Sequence, residues 1–180
     1  MIGRRTTLAL TAAATVAAAP PPGPAWQFTM PAIEGGALDF AAFRGRVLLV
    51  VNTASFCSFT PQYKALEAAY KELEPRGLTV IGIPSGDFGQ EKDSDAAVKT
   101  FCELTYGVEF PMSAIAHVRG PDAAPFYRWV AGQTRWEPRW NFFKVLVGRD
   151  GAIAGTFGSE DEPGSGRLKA AVEKALAASA

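Results

Sequence analysis

The chain has 180 residues, of which 48% are hydrophobic and 20% charged, and its 18 basic residues balance its 18 acidic ones. This length suits one domain with a buried core and is too short for two. The even charge balance argues against a nucleic-acid-binding surface and against electrostatic attachment to an anionic membrane.

The first 25 residues differ in composition from the rest of the chain. Arg4 and Arg5 come first, an uncharged run of Ala, Thr and Leu follows, and small residues occupy positions 17–19. This order is typical of a cleavable export signal, and the paired arginines resemble a twin-arginine signal. The run is too short and too weakly apolar to span a membrane, which takes roughly 20 apolar residues. We therefore predict an export signal over 1–25, a mature domain over 26–180, a periplasmic location and no stable membrane insertion; the alternative is an unprocessed Ala/Pro-rich leader.

The first half of the mature domain alternates strand and helix signals. Residues 26–43 contain a Gly-Gly turn and predict a short hairpin. The runs 46–52 and 78–84 are almost wholly aliphatic or β-branched, which is typical of strands covered on both faces. The segment between them predicts a helix with one apolar stripe, formed by Tyr63, Leu66, Tyr70 and Leu73.

The second half continues with helices and a further hairpin. A helix is predicted to begin after Asp93 or Ser94, a shorter one over 122–130, and strands over 141–147 and 152–157. The chain ends in a helix with an apolar face formed by Leu168, Ala171, Val172, Ala175 and Leu176. This element order predicts an α/β domain of the thioredoxin-like fold, with a central mixed sheet flanked by helices.

The chain has two cysteines, Cys57 and Cys102. In an exported protein such a pair suits a structural disulfide, but a domain of this size rarely needs one, so catalysis is equally open. Cys57 follows a predicted buried strand and precedes a helix, where the positive end of the helix stabilises a thiolate. The alternative for Cys57 is a small buried apolar residue.

The residues around Cys57 and the single histidine exclude some types of chemistry but do not identify the reaction. Thr60 stands where a thioredoxin-type oxidoreductase carries its second cysteine. His117, the only histidine, lies in an unrelated segment, which argues against a copper site and suits a surface residue. The chemistry therefore rests on a single attacking sulfur, and we predict no metal and no cofactor.

Four segments in series resemble the glutathione peroxidase family. Residues 52–63 resemble the signature around that family's active cysteine or selenocysteine, 82–91 its second motif and 140–147 its third, while 101–111 also matches. The resemblance extends from about Trp26 to the C-terminus, in order and with compatible spacing. It implies a peroxidase that reduces hydrogen peroxide and organic or lipid hydroperoxides.

The resemblance also implies a set of catalytic residues. The family's chalcogen, Gln, Trp and Asn fall here on Cys57, Gln90, Trp140 and Asn141. Amide and indole N–H groups would stabilise the thiolate, position the peroxide and stabilise the departing oxygen.

The sequence departs from the family pattern at two places. Ser58 replaces a common Gly, and residues 85–87 (Ser-Gly-Asp) replace the usual Cys-Asn-Gln in a stretch one residue shorter. Gln90 takes the family position of Gln only if the gap precedes it.

Cys102 matches the helix position that supplies the resolving thiol in thioredoxin-dependent members. The resemblance implies that it condenses with a Cys57 sulfenic acid to give a disulfide, which requires its helix to move or unwind. A thioredoxin-like protein or glutathione would then restore the thiols. The short segment between Arg119 and Trp140 lacks the longer loop of the tetrameric animal enzymes, which predicts a monomer with an open site.

Two other functions remain open on the sequence. The same cysteine pair would serve an extracytoplasmic redox sensor or relay that oxidises a partner protein. The altered residues 85–87 would also suit a non-catalytic binding module with a thioredoxin fold.

Overall fold

A mixed sheet forms the centre of the protein, for which a computed structural model describes residues 23–178. A small hairpin, β1 (Thr29–Pro31) and β2 (Ala37–Asp39), comes first. The central strands are β3 (Val47–Thr53), β4 (Leu78–Pro84), β5 (Lys144–Val147) and β6 (Ile153–Phe157), in the order β4-β3-β5-β6. Strand β3 is parallel to β4 and antiparallel to β5, and β5 is antiparallel to β6.

Alternate side chains of β3 enter two apolar clusters on opposite faces of the sheet. Val47, Leu49 and Val51 belong to one cluster, whereas Leu48 and Val50 belong to the other. Every residue of β3 and β4 is buried, as expected for strands covered on both faces. The prediction from the two aliphatic runs is confirmed.

In the described residues, four α-helices cover the sheet: α1 (Gln62–Leu73), α2 (Asp95–Phe101), α3 (Pro125–Thr134) and α4 (Gly166–Ala177). Residues of α1, α2 and α4 contribute to the cluster that contains Leu49, and residues of α3 and the β1–β2 hairpin to the cluster that contains Leu48. The protein is thus an α/β domain with a central mixed sheet between helices, which confirms the predicted fold class.

Three local features differ from the sequence-based predictions. Helix α3 begins at Pro125, since proline fits the first turn of a helix. Strand β5 begins at Lys144, because residues 140–143 form a turn. Helix α2 ends at Phe101 and continues as a π-helical turn, Cys102–Tyr106, that ends at Gly107 with φ +63°.

Among residues 23–178, no helix is both long and apolar enough to cross a membrane. The predicted export signal lies almost entirely outside the described residues, and it stays a prediction.

Candidate active site

Cys57 lies in the loop between β3 and α1, and two neighbours fix its backbone and its sulfur. The Thr60 hydroxyl accepts a hydrogen bond from the Cys57 N–H at 3.0 Å and donates to the Ala54 carbonyl at 2.9 Å. The backbone N–H of Phe59 donates to Cys57 Sγ at 3.5 Å. Sequence reasoning missed the Phe59 contact, because a backbone donor has no side-chain signature. The backbone N–H dipole of Phe59 therefore points at the sulfur.

Gln90 and Asn141 meet behind the Cys57 loop. The Gln90 carbonyl accepts a hydrogen bond from the Phe56 N–H at 3.0 Å, and its side-chain oxygen accepts one from Asn141 Nδ2 at 2.9 Å. The structure therefore brings together two of the predicted site residues, 51 positions apart in the chain. In the described part of the chain, neither donates a hydrogen bond to the Cys57 sulfur, so their catalytic roles stay predictions.

Trp140 lies at the surface beside the same loop. Its ring contacts Phe88 with 5.5 Å between centroids, and its side chain is 39% exposed. Phe56, next to Cys57, is 62% exposed. The approach to the cysteine is thus bordered by open aromatic surface, and no hydrogen bond joins the Trp140 indole to the sulfur among the described residues.

Asn52 is a positioning residue that sequence reasoning missed. It is fully buried at the end of β3, where Nδ2 donates to the Trp140 carbonyl at 3.0 Å and Oδ1 accepts from the Phe143 N–H at 3.1 Å. These bonds fix the turn that presents Trp140 and Asn141. The turn also holds Phe142 at φ +59°, a conformation that is costly outside glycine and persists only where the surroundings impose it. The sequence feature that could have revealed Asn52 is its position as a polar residue at the end of an aliphatic run.

A buried lysine connects this turn to α1. Lys144 Nζ donates to Gln62 Oε1 at 2.7 Å and to the carbonyls of Gly158 and Ser159 at 3.2 Å. The Ser159 hydroxyl in turn donates to the Asn141 carbonyl at 2.7 Å. Burial lowers the pKa of Lys144 to about 8, because a desolvated ammonium is disfavoured. The network ties the first turn of α1 to the segment that carries Asn141.

Cys102 lies at the first position of the π-helical turn and is 1% exposed. Cys57 and Cys102 are both free thiols and belong to the same apolar cluster. Burial raises the pKa of Cys102 to about 11. In this conformation Cys102 is therefore a protonated thiol at neutral pH.

Glu91 is a half-buried carboxylate, hydrogen-bonded to the loop that carries Cys57, that sequence reasoning did not single out. Its Oε1 accepts hydrogen bonds from the Ser55 N–H at 3.1 Å, the Ser55 hydroxyl at 2.5 Å and the Lys92 N–H at 2.9 Å. Its Oε2 is buried and has no hydrogen-bond partner in the described residues. Burial raises the pKa of Glu91, and these hydrogen bonds oppose that rise.

The residues that replace the family's usual Cys-Asn-Gln form an ordered turn. Asp87 accepts hydrogen bonds from the Val118 N–H at 2.7 Å and pairs with His117 Nδ1 at 2.5 Å. His117 is exposed, in agreement with its prediction as a surface residue. Within residues 23–178 no group of three or more His, Cys, Asp or Glu side chains is placed to hold a metal ion.

Comparison with known proteins decides the family. The glutathione peroxidase family model matches residues 25–131, more than half of the chain. The chain belongs to the glutathione peroxidase family. Its membership confirms the resemblance that the four sequence segments indicated.

Individual members of the glutathione peroxidase family align over most of this chain. The hydroperoxy fatty acid reductase gpx1 of Synechocystis sp. is 38% identical over 160 residues, covering 83% of this chain and 94% of the relative. The glutathione peroxidase-like peroxiredoxin HYR1 of Saccharomyces cerevisiae is 39% identical over 149 residues, covering 79% and 90%.

Solved structures agree with this assignment. The crystal structure of Trgpx in its apo form has a TM-score of 0.69 and 30% identity, covering 87% of this chain and 98% of its own. A thiol:disulfide interchange protein of the thioredoxin family from Chlorobium tepidum has a TM-score of 0.65 at 19% identity, covering 89% and 99%, and shows the shared fold alone.

Proposed function

We propose that this chain is a thiol peroxidase that reduces hydrogen peroxide and organic or lipid hydroperoxides. The observation that carries the proposal is the placement of Cys57, whose sulfur accepts the backbone N–H of Phe59 in the turn that precedes α1, in a loop tied to Gln90. The relatives named hydroperoxy fatty acid reductase and glutathione peroxidase-like peroxiredoxin support the same reaction class.

The reaction proceeds in three chemically balanced steps. The Cys57 thiolate attacks the terminal peroxide oxygen, the O–O bond breaks, and water or an alcohol leaves after gaining a proton, with Cys57 as sulfenic acid. Cys102 then attacks the Cys57 sulfur, and water leaves as the disulfide forms. A dithiol reductant restores both thiols by thiol–disulfide exchange.

The surface around Cys57 suits a bulky hydroperoxide. Phe56 and Trp140 offer exposed aromatic area, and Lys92 Nζ lies 4.5 Å from the Phe56 ring centroid. The Arg119 guanidinium lies 5.5 Å from the ring of Phe88, which contacts Trp140. Apolar surface next to cationic side chains complements an acyl chain that carries a carboxylate or phosphate.

The Trp140 and Asn141 donors are expected to accelerate peroxide attack. We expect Trp140→Phe, which keeps an aromatic ring on Phe88, and Asn141→Ala each to lower the second-order rate with peroxide by ~10²–10³-fold, since one preorganised donor contributes about that much. Stopped-flow oxidation of Cys57 measures the rate. Trp136→Phe, an indole whose ring contacts Phe143, is the matched control and should stay near wild type. A loss below about threefold in both site variants would remove them from the mechanism.

The reductant is expected to be a protein dithiol of the thioredoxin type, because Cys102 provides a disulfide for it to reduce. Purified mature protein should show sustained peroxide turnover with thioredoxin, at least about tenfold faster than with glutathione at equal thiol concentration. Consumption of the reductant, followed against a reaction without reductant, measures this.

The outcomes of this assay separate the functions that the sequence left open. Rapid peroxide reduction with poor turnover by every reductant would favour a redox relay, and a protein with no peroxide reactivity would be a binding module. Faster turnover with glutathione would contradict a thioredoxin-type reductant.

We propose in addition that the protein is exported to the periplasm and acts there as a monomer. The basic, apolar and small residues in order over 1–25 support export. The short connection from Arg119 to Trp140 supports a monomer with an open site.

A further inference from the structure

We propose that Glu91 is the base that accepts the proton of the Cys102 thiol when Cys102 attacks oxidised Cys57. This assignment rests on the proposed function, since it concerns the resolving step of that cycle. It adds a residue outside the set of Cys57, Gln90, Trp140, Asn141 and Cys102.

The resolving step needs a base because the attacking species is a thiolate. Burial raises the pKa of Cys102 to about 11, so roughly 1 in 10⁴ of its thiols is ionised at pH 7. Attack without assistance would leave the sulfenic acid exposed to a second peroxide. A base that accepts the thiol proton as Cys102 attacks removes the need for Cys102 to ionise beforehand.

Glu91 is held by hydrogen bonds to the loop that carries Cys57. Its Oε1 is bound by the N–H and hydroxyl of Ser55, two residues before Cys57, and the preceding carbonyl of Gln90 is bound by the Phe56 N–H. The carboxylate therefore belongs to the Cys57 loop and stays beside it while the π-helical turn carrying Cys102 moves. In the proposed step, Glu91 therefore already lies beside the Cys57 loop when the Cys102 thiol reaches it.

The second oxygen of Glu91 is available for this proton. Oε2 is buried without a hydrogen-bond partner in the described residues, an arrangement that a carboxylate rarely adopts without a role. The Tyr63 hydroxyl of α1 is likewise buried, and its interaction with the Cys102 thiol opposes the rise that burial causes in the Cys102 pKa. The negative charge of Glu91 acts on both Tyr63 and Cys102 and contributes to raising the pKa of each, after the larger effect of burial.

The other titratable groups around Cys102 are less suited to the role. Glu103, on the π-helical turn, is exposed and paired with Lys99 at 3.1 Å. Lys92 Nζ lies 4.5 Å from the Phe56 ring centroid and 5.0 Å from the Phe101 ring centroid, and an ammonium group has no lone pair with which to accept a proton. Burial raises the pKa of Tyr63 well above its usual value, so its hydroxyl is protonated and can relay a proton but not store it.

The proposed step balances in atoms and charge. The Cys102 S–H proton passes to Glu91 Oε2 as the Cys102 sulfur attacks Cys57. The S–O bond of the sulfenic acid breaks, and the departing hydroxide takes the proton back from Glu91. A disulfide and one water form, and Glu91 ends as the carboxylate from which it began.

The test compares Glu91→Gln with Glu103→Gln after one equivalent of hydrogen peroxide. Both variants remove one negative charge near Cys102, and glutamine retains an acceptor for the Ser55 bonds at position 91. Quenched samples analysed by mass spectrometry give the rates of sulfenic acid and disulfide formation separately. In Glu91→Gln we expect disulfide formation to fall by ~10²-fold, the lower range for lost acid–base catalysis, with a much smaller change in sulfenic acid formation.

The control variant, Glu103→Gln, distinguishes a role of Glu91 as a base from an effect of its negative charge alone. If Glu91 acted only through its charge, both variants would favour ionisation of Cys102 and form the disulfide faster, so faster resolution in Glu91→Gln overturns the proposal. If Glu91 is the base, Glu103→Gln stays within threefold of wild type. The residual rate of Glu91→Gln then rises about tenfold per pH unit between pH 7 and 9, since ionisation by solvent replaces the lost base.

A conservative variant and the wild type complete the design. Glu91→Asp keeps a carboxylate and should recover part of the rate that Glu91→Gln loses. Disulfide formation no faster in Glu91→Asp than in Glu91→Gln would contradict the role. Disulfide formation at equal rates in wild type and Glu91→Gln would overturn the Glu91 assignment alone. Wild type that forms sulfenic acid but never the disulfide would instead overturn the resolving role of Cys102, and the Glu91 assignment with it.

Discussion

Cys57→Ser is expected to abolish peroxide consumption, with a loss of at least about 10³-fold, while the fold stays intact. A serine hydroxyl does not ionise at neutral pH, so the attacking anion is lost, whereas the backbone bonds to Thr60 and Phe59 impose no demand on the sulfur atom beyond accepting one N–H. Peroxide consumption by the purified variant, beside its circular dichroism and melting temperature, measures both parts of the expectation.

Ser58→Ala is the matched control for this substitution. Ser58 is the adjacent residue and is exposed, so removal of its hydroxyl should leave peroxide consumption within about threefold of wild type, as expected for a surface position. Substantial turnover by folded Cys57→Ser would show that the nucleophile lies elsewhere and would contradict the mechanism.

Cys102→Ser should stop the cycle at a different point. Its Cys57 and the N–H of Phe59 are unchanged, so a single oxidation by peroxide should proceed at close to the wild-type rate. The sulfenic acid then has no thiol to condense with and goes on to sulfinic acid under excess peroxide. We expect thioredoxin-driven turnover to fall by about 10²-fold or more, measured in the steady state beside single-turnover oxidation.

Mass spectrometry of the oxidised protein provides the companion measurement. Peroxide-treated wild type should contain a Cys57–Cys102 disulfide and weigh about 2 mass units less than the reduced protein. Cys102→Ala tests whether the buried position tolerates the loss of sulfur, and it should match Cys102→Ser in turnover. Wild type without the disulfide, together with steady glutathione-driven turnover of Cys102→Ser, would leave Cys102 as a residue of the apolar core.

The arrangement of the two cysteines explains why the resolving segment needs to move easily. Cys102 begins a π-helical turn directly after the seven residues of α2, and Gly107 closes that turn in the left-handed region. π-Helical turns are rare and occur mostly at functional sites. A short helix that ends in such a turn unfolds at low cost, which suits the movement that the proposed attack of Cys102 on Cys57 requires.

Much of the active site was predictable from local sequence signals. The aliphatic runs that became β3 and β4 predicted strands covered on both faces, and the proximity of Cys57 to a helix start predicted a stabilised thiolate. Four motifs in series predicted the family. The strand and family predictions succeeded because strand burial and motif matches depend on residues close together in the chain, whereas the stabilised thiolate stays a prediction.

The remaining features depend on contacts between distant segments, which only the tertiary structure decides. Asn141 meets Gln90 across 51 positions, Asn52 meets Phe143 across 91, and Glu91 meets Ser55 across 36. No local pattern distinguishes a buried carboxylate oxygen without a partner from one paired in solvent, or an α-helical last turn from a π-helical one. The sequence by itself thus determined the fold, the family and the cysteine pair. Folding decided that Glu91 is half-buried beside the Cys57 loop, because hydrogen bonds and burial at such a position are set by which segments the sheet brings together.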